Sequence, residues 1–396
     1  MMGMERSASG MSSQPIGICG VGVVSAYGWG REAFWAGLIA GKPAAVEVGG
    51  QGPDFDQTAW LARVPDGGDR ADGPGRFARA MRAAAREAIA DAGRHGWLAG
   101  RRVGLVHAVV LSEVDLWRDF YLEHRGNVSM RDYLALMPST SMSTLMQEHG
   151  FHGPAMTVSA MCTSGNAGLL TAKAWLDADV VDDVVFVASD LSATPENVLH
   201  FARLGVTITD AEPLDACRPF QEGSRGFIMG EASVGFVLSS RASDSYATVL
   251  GGAMSHDAYH VTSIDPNPIQ VARCFREALG NARTEPSSVR FLNAHGPGTR
   301  QCDAVEAAIA DELFGPEVGI YSVKPFTGHC QGAASAVELA VTALGYERGV
   351  LPVPPTVAPG HARLLNGPTP ITGGITVKSS LGMGGHNSVV VVAPGR

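Results

Sequence analysis

The stretch Ala155-Met-Thr-Val-Ser-Ala-Met-Cys-Thr-Ser-Gly-Asn-Ala-Gly-Leu-Leu170 decides how the rest of the sequence is interpreted. Its first seven residues are mostly apolar or β-branched, which predicts a buried strand over Ala155–Met161. A helical pattern follows over Asn166–Asp177. Cys162 therefore lies at the N-terminus of a helix, where the backbone dipole favours a thiolate and lowers the pKa of a thiol.

Cys162 has two possible roles at this turn. It suits a nucleophile, because a backbone N–H at the turn can also stabilise an oxyanion on the carbonyl that the sulfur attacks. It also suits a buried structural thiol, since free cysteines are commonly buried. The segment by itself leaves both interpretations open.

Two distant histidine segments favour the nucleophile. His295 lies in Phe291-Leu-Asn-Ala-His-Gly-Pro-Gly-Thr299, and His329 follows Lys324 in a second Gly-containing segment. Each histidine is predicted at a strand end, where neighbouring glycines permit positive φ and close approach of a substrate. A cysteine nucleophile with two such histidines suits acyl transfer through a thioester.

At this point the chain resembles the β-ketoacyl synthases, the condensing enzymes of fatty acid and polyketide assembly. The resemblance runs from about Ile16 to Val392 and rests on six segments in the family's order. These are Gly20–Gly28, Ala155–Leu170, Arg218–Glu231, Asn293–Gly296, Lys324–Gly332 and Leu381–Asn387. Cys162–Gly165 and His295–Gln301 look most similar to the discrete ketosynthases of type II polyketide systems.

Strand and helix patterns alternate along the chain, which predicts parallel sheets covered by helices on both faces. Two halves of matching order suggest an internal duplication. The resemblance implies an α/β thiolase-like fold, with two duplicated βαβ-type halves in a layered α-β-α-β-α arrangement. We expect a disordered lead over 1–14, an N-terminal half over 15–245 that carries Cys162, and a C-terminal half over 246–396 that carries both histidines.

The resemblance also implies the reaction, a decarboxylative Claisen condensation by a β-ketoacyl-[acyl-carrier-protein] synthase. Cys162 would hold an acyl group, and a malonyl-type carrier thioester would lose carbon dioxide and attack it. His295 and His329 would stabilise the enolate. Lys324 and Glu338 would pair and hold the protonation pattern of the site.

Further residues take roles from the same resemblance. The backbone N–H groups of Cys162 and Met383 would form an oxyanion hole, with Gly384 in the same gating loop. Met161, Thr299, Thr327 and Leu381 would contact substrate, and Met161 would restrict the acyl pocket. Asp303 and Glu306 are expected to be structural. Pro297, Met161, Met383, Leu381 and His386 depart from residues common in the family and favour a specialised pathway.

Composition narrows the function classes. The chain has 396 residues and a formal net charge of −9, which argues against a general nucleic-acid binder. No C-x-x-C pair, membrane-length apolar run or secretory signal occurs, so we expect no metal, no membrane span and a cytoplasmic enzyme.

Carrier proteins are the expected partners. We expect no prosthetic group, and substrates delivered on the phosphopantetheine of a separate acyl carrier protein. A homodimer and a heterodimer with a ketosynthase-like partner remain open. Carrier proteins are usually acidic, so a basic patch is expected, although an arginine-lined helix is more often a solvated face. The candidates are Arg79, Arg82, Arg86, Arg101 and Arg102.

Two alternative functions remain. A synthase-like acyltransferase would keep Cys162 but would not decarboxylate its substrate. A non-catalytic partner similar to chain-length factors would shape another subunit's pocket, but such partners typically lack the cysteine.

Overall fold

The structure is a computed structural model that describes residues 14–124 and 129–396. Residues 1–13 of the expected N-terminal lead lie outside the described residues. Gln14 is tied to the body of the protein, because Lys173 donates a hydrogen bond to its carbonyl oxygen at 2.7 Å.

The described residues contain fifteen strands and twelve α-helices. The strands are β1 Ile16–Ser25, β2 Gly28–Trp29, β3 Val46–Gln51, β4 Gln57–Leu61, β5 Val103–Ala108, β6 Ala155–Val158, β7 Asp183–Asp190, β8 Ala232–Ser239, β9 Ala247–His256, β10 Val289–Asn293, β11 Gly319–Tyr321, β12 Val350–Leu351, β13 Thr369–Pro370, β14 Ile375–Gly382 and β15 His386–Pro394. The helices are α1 Arg31–Ile39, α2 Arg76–Arg94, α3 Val114–Asp119, α4 Met130–Ala135, α5 Pro138–His149, α6 Ser164–Asp177, α7 Pro195–Arg203, α8 Pro213–Ala216, α9 Ile269–Asn281, α10 Arg300–Leu313, α11 Lys324–Thr327 and α12 Ala334–Arg348.

Ten of these strands form two five-stranded units with the same order. The first unit runs β6-β5-β7-β8-β1 and the second runs β11-β10-β14-β15-β9. The corresponding pairs also run in the same directions, parallel on either side of β5 and β10 and antiparallel elsewhere. This repeated order and direction confirm the duplication that the sequence predicts.

The two units meet at their edges and share a central pair of helices. Residues 16–18 of β1 pair with residues 247–249 of β9. Helices α6 and α12 pack on each other and contact strands of both units, whereas α2 packs on the first unit and α9 on the second. The resulting layers are helix, sheet, helix, sheet and helix, as expected.

Two expectations about the strands are wrong. The sheets are mixed and not parallel, in part because the short turn at 383–385 joins β14 to β15 and requires antiparallel pairing. The predicted buried strand over 155–161 ends at Val158, and its first three residues are exposed. The reason is that β6 is an edge strand, with β5 as its one neighbour in the sheet.

Candidate active site

Cys162 lies in a hydrogen-bonded turn between β6 and α6. The hydroxyl of Ser164 accepts a hydrogen bond from the Ala160 N–H at 2.8 Å and donates one to the Met161 carbonyl at 2.6 Å. The hydroxyl of Ser380 donates to the Cys162 carbonyl at 3.0 Å. Met161 has a φ of +50°, which turns the chain sharply and leaves Cys162 only 5% exposed.

His295 follows the end of β10 and is fixed through its backbone. Its N–H donates to one carboxylate oxygen of Glu306 at 2.8 Å, and the N–H of Gly296 donates to the other at 2.8 Å. Gly296 has a φ of +41°, and a Cβ there would lie 2.8 Å from the Ser322 side chain. Glycine is therefore required at this turn, and Glu306 has the structural role expected from the sequence.

His329 follows the short helix α11. Its N–H donates to the Ile228 carbonyl at 2.7 Å, and its carbonyl accepts from the Gly230 N–H at 3.0 Å. These bonds join the mid-chain motif to the second histidine motif. Phe227 packs edge-on against the His329 ring, with ring centroids 4.7 Å apart.

The cysteine and both histidines converge at one place. Sγ of Cys162 and a nitrogen of each ring lie within 4.8 Å of one another, and all three residues are buried. The two rings are 5.3 Å apart between centroids. The three side chains line a cavity of about 490 Å³ that opens to solvent. The three predicted catalytic residues therefore form one site.

A Cys-His-His set is also a possible metal site, and it is the one such close group among the described residues. Metal-bound histidines normally donate their second ring N–H to an acceptor. In this structure Nδ1 of His329 accepts a hydrogen bond from the Gln331 N–H at 3.1 Å. A neutral ring held in this way carries its proton on Nε2, so it fits a hydrogen-bond donor and not a metal ligand.

The protonation state of the thiol differs from the prediction. Burial raises the pKa of Cys162 to about 11, although the Lys324 charge and the Met383 N–H act to lower it. The expected lowering of the pKa is wrong because removal of the sulfur from water outweighs the favourable charges nearby. Burial, aided by the charge of Lys324, also holds the pKa of His295 and His329 well below the usual value, so both rings are neutral at neutral pH.

The predicted pair of Lys324 and Glu338 is present behind the histidines. The Lys324 ammonium contacts Glu338 Oε1 and also donates to the His295 carbonyl. Lys378 of β14 lies 2.6 Å from Glu338 Oε2 and is fully buried. Sequence reasoning missed Lys378, yet a lysine inside a strand of small and apolar residues is a signal of a buried ion pair.

The structure places the predicted substrate residues in two groups. Thr299, Leu381 and Met383 line the cavity, as does the departure Pro297. Met161, Thr327 and Gly384 are not among the lining residues. The Thr327 hydroxyl instead donates to the Gly328 carbonyl at 2.9 Å.

One further acid and one further thiol lie close to the site. Asp303 accepts hydrogen bonds from the N–H groups of Phe220 at 2.9 Å and Gly298 at 3.2 Å, which is the structural role expected for it. Cys302 lines the cavity and was not singled out by sequence reasoning.

Four of the five arginines that were candidates for a basic patch are paired with acids, and the fifth, Arg101, is exposed. Arg79 and Arg82 are buried, and their guanidinium groups pair with Asp66 at 3.0 Å and Asp72 at 3.1 Å. Arg86 and Arg102 are likewise paired with acids. The ion pairs of Arg79, Arg82 and Arg86 join α2 to the preceding segment, and Arg102 is also paired with Asp182. Because each charge is neutralised by a neighbouring carboxylate, these four arginines do not form a free basic patch.

Comparison with known proteins agrees with this site. Residues 13–244 match the family described as "Beta-ketoacyl synthase, N-terminal domain", and residues 246–358 match "Beta-ketoacyl synthase, C-terminal domain". The chain is 32% identical to the oxytetracycline polyketide β-ketoacyl synthase 1 of Streptomyces rimosus, over 96% of this chain and 97% of that protein.

Solved structures show the same fold. The ishigamide ketosynthase/chain length factor superposes with a TM-score of 0.81 at 25% identity, covering 96% of this chain and 99% of that one. A type II polyketide ketosynthase in complex with its acyl-carrier protein superposes with a TM-score of 0.84 at 23% identity, covering 96% and 99%. The chain belongs to the β-ketoacyl synthase family, the condensing acyltransferases of the 3-oxoacyl-[acyl-carrier-protein] synthase type.

Proposed function

We propose that the three converging side chains carry out a decarboxylative Claisen condensation between an acyl thioester and a malonyl-type thioester. The observation that carries this proposal is the position of Cys162 Sγ within 4.8 Å of a nitrogen of both His295 and His329. A thiol nucleophile and two neutral hydrogen-bond donors in one buried cavity supply the groups that both half-reactions need.

In the first half-reaction, the Cys162 sulfur attacks the acyl thioester and its proton passes to the leaving pantetheine thiol. The backbone N–H groups of Cys162 and Met383 lie against Sγ, where both act to lower the thiol pKa. We assign them the oxyanion that forms on the attacked carbonyl. The product is an acyl group held on Cys162, and the free carrier thiol leaves.

In the second half-reaction, the malonyl thioester loses carbon dioxide and becomes an enolate. We assign His295 and His329 to hold its oxygen, and the N–H on Nε2 of His329 is arranged for this. The enolate carbon then attacks the acyl-cysteine, and the Cys162 thiolate leaves and takes up a proton from solvent, which balances the carboxylate lost as carbon dioxide. Lys324 and Glu338 act behind the histidines, where Lys324 donates to the His295 carbonyl.

The partners follow from the cavity and from the relatives. We propose that an acyl carrier protein inserts its phosphopantetheine arm past Thr299 and Met383, as one similar ketosynthase is seen bound to its carrier. Arg300 is an exposed residue of the cavity lining and would meet an acidic carrier there, whereas Arg225 in the same lining is paired with Asp210 at 2.8 Å.

We also propose a dimer with a ketosynthase-like subunit. The ishigamide ketosynthase is paired with a chain length factor, and the exposed edge strand β6 of this chain offers unpaired backbone groups for a similar contact. Among the described residues, no helix is both long and apolar enough to cross a membrane. We propose that the enzyme is cytoplasmic and that it acts in a type II polyketide or specialised fatty acid pathway.

The test combines two measurements. Intact mass after incubation with a panel of acyl-carriers should show an adduct that Cys162→Ala abolishes. Release of carbon dioxide from malonyl-carrier should accompany product formation. An adduct without carbon dioxide release would favour the acyltransferase alternative. The absence of both the adduct and carbon dioxide release would favour a non-catalytic partner.

A further inference from the structure

Lys378 is fully buried, which is rare for a lysine side chain. It lies within β14, and its ammonium donates to three backbone carbonyls. These are the carbonyls of Ser379 at 2.6 Å, Ala294 at 3.2 Å and Asn293 at 3.3 Å. Asn293 and Ala294 immediately precede His295, so the hydrogen bonds from Lys378 fix the end of β10 next to that histidine.

Lys378 also changes the charge behind the site. The two oxygens of the Glu338 carboxylate contact different ammonium groups, Oε1 that of Lys324 and Oε2 that of Lys378. Lys324 and Lys378 thus form, with Glu338, a cluster of two ammonium groups around one carboxylate. Its charge acts on both histidines and on Glu306, the carboxyl group that holds the backbone of His295.

We propose that Lys378 is a second positioning lysine of this active site, which fixes the end of β10 beside His295 and adds a positive charge behind the two histidines. This inference rests on the proposed condensation, in which neutral His295 and His329 donate to an enolate. The same charge would stabilise the negative oxygen that forms during decarboxylation, because charges interact strongly in a buried site.

The titration behaviour of the cluster supports the geometry. Burial lowers the pKa of Lys378 to about 8, against the raising effect of Glu338, so the ammonium is mostly charged at neutral pH. After burial, the charges of Lys324 and Lys378 both lower the pKa of His295 and of His329. The titratable groups that meet here are Lys324, Lys378, Glu338, Glu306, Cys162 and the two histidines.

Removal of the charge is feasible because Glu338 keeps Lys324 as its partner. Lys378→Met removes the charge and the three hydrogen bonds, and Lys378→Gln removes the charge but keeps an amide that can donate to the same carbonyls. The matched control is Lys173→Met. Lys173 is also buried and ion-paired, 3.0 Å from Asp177 on α6, but it lies outside the active-site cavity.

The experiment measures three quantities for each protein: the mass of acylated Cys162, carbon dioxide release from malonyl-carrier between pH 5 and 9, and the histidine pKa values by NMR. Both Lys378 variants should acylate within about threefold of the unsubstituted protein. The acid limb of their carbon dioxide release should move up by about one pH unit, which is roughly a tenfold loss at a pH below the histidine pKa of both proteins, because nearby positive charge disfavours imidazolium. Lys173→Met should leave the limb in place.

Three outcomes would overturn the inference. They are an unchanged acid limb and unchanged histidine pKa values in both Lys378 variants, an equal shift in Lys173→Met, or loss of folding in both Lys378 variants. If the unsubstituted protein released no carbon dioxide, that result would refute the proposed function but not the inference about Lys378. The NMR titration would then still decide whether the Lys378 charge acts on the histidines.

Discussion

Nδ1 of His329 accepts a hydrogen bond from the backbone N–H of Gln331, two residues further on, at 3.1 Å. Gln331 adopts a φ of +44°, a conformation that non-glycine residues rarely take. The chain therefore turns back sharply to bring this N–H onto the ring. The turn fixes which nitrogen of His329 carries the proton and directs that N–H toward the cavity.

This relationship predicts different results for two substitutions of His329. His329→Gln places an amide nitrogen near the position of Nε2, so it should retain part of the decarboxylation rate. His329→Ala leaves no donor and should lose on the order of 100- to 1000-fold. Carbon dioxide release from malonyl-carrier measures both, with acylation of Cys162 as the internal control. Equal losses in the two variants would contradict a donor role.

Much of the fold and the convergence of Cys162, His295 and His329 could be predicted from the sequence. The strand and helix periods are local, and the motifs around Cys162, His295 and His329 contain glycines and small residues whose spacing is visible without a structure. The exposure of β6 could not be predicted, because burial of a strand depends on whether a second strand lies beside it. The mixed direction of the sheets was missed because it depends on which strands become neighbours, as where the short turn at 383–385 pairs β14 with β15 antiparallel.

The electrostatics of the site were the least predictable part. A helix N-terminus beside Cys162 suggested a low thiol pKa, but the pKa depends on burial by residues distant in sequence. Lys378 was missed because its partner Glu338 lies forty positions earlier in the chain. The pairing of Arg79 with Asp66 likewise depends on how the 66–79 region folds back on itself, which residue type does not reveal.

The raised pKa of Cys162, to about 11, predicts how the free enzyme reacts with iodoacetamide. Only the thiolate is alkylated, so the rate at Cys162 should rise about tenfold per pH unit between pH 7 and 10 without a plateau. Peptide mass spectrometry of the Cys162 peptide measures the rate, and Cys162→Ala gives the background from other thiols. A plateau near pH 7 would instead indicate a resting thiolate.

A second pH effect is expected at His107, a fully buried residue of β5. Neither ring nitrogen has a hydrogen-bond partner in the part of the chain that the structure describes, and burial lowers the pKa of His107 to about 4. In the unfolded chain the pKa is about 6.5, so the unfolded state takes up the proton first as the pH falls. The free energy of unfolding should therefore fall progressively as the pH drops from 6.5 toward 4.

His107→Leu should remove this loss and raise the free energy of unfolding by about 1–3 kcal/mol at pH 7, because two unsatisfied polar atoms leave the core. Denaturant unfolding at pH 7 and pH 5 measures the change, and the advantage of the variant should be larger at pH 5. His152→Leu serves as the control, since His152 is exposed. A destabilised His107→Leu protein would contradict this prediction. It would mean that a water molecule hydrogen-bonds to the ring or that leucine does not fit the space that the ring fills.

The last prediction concerns Met161, which the sequence placed in the acyl pocket and which the structure places outside the cavity lining. Its φ of +50° costs about 1 kcal/mol for a residue with a Cβ, and glycine avoids that cost. Met161→Ala removes the thioether but keeps the cost, whereas Met161→Gly removes both. We expect a higher melting temperature for Met161→Gly than for Met161→Ala, with both loading the same acyl chain lengths as the unsubstituted protein. A shift toward longer acyl groups in both variants, measured by intact mass across a chain-length series, would instead support the substrate-binding role that the sequence suggested.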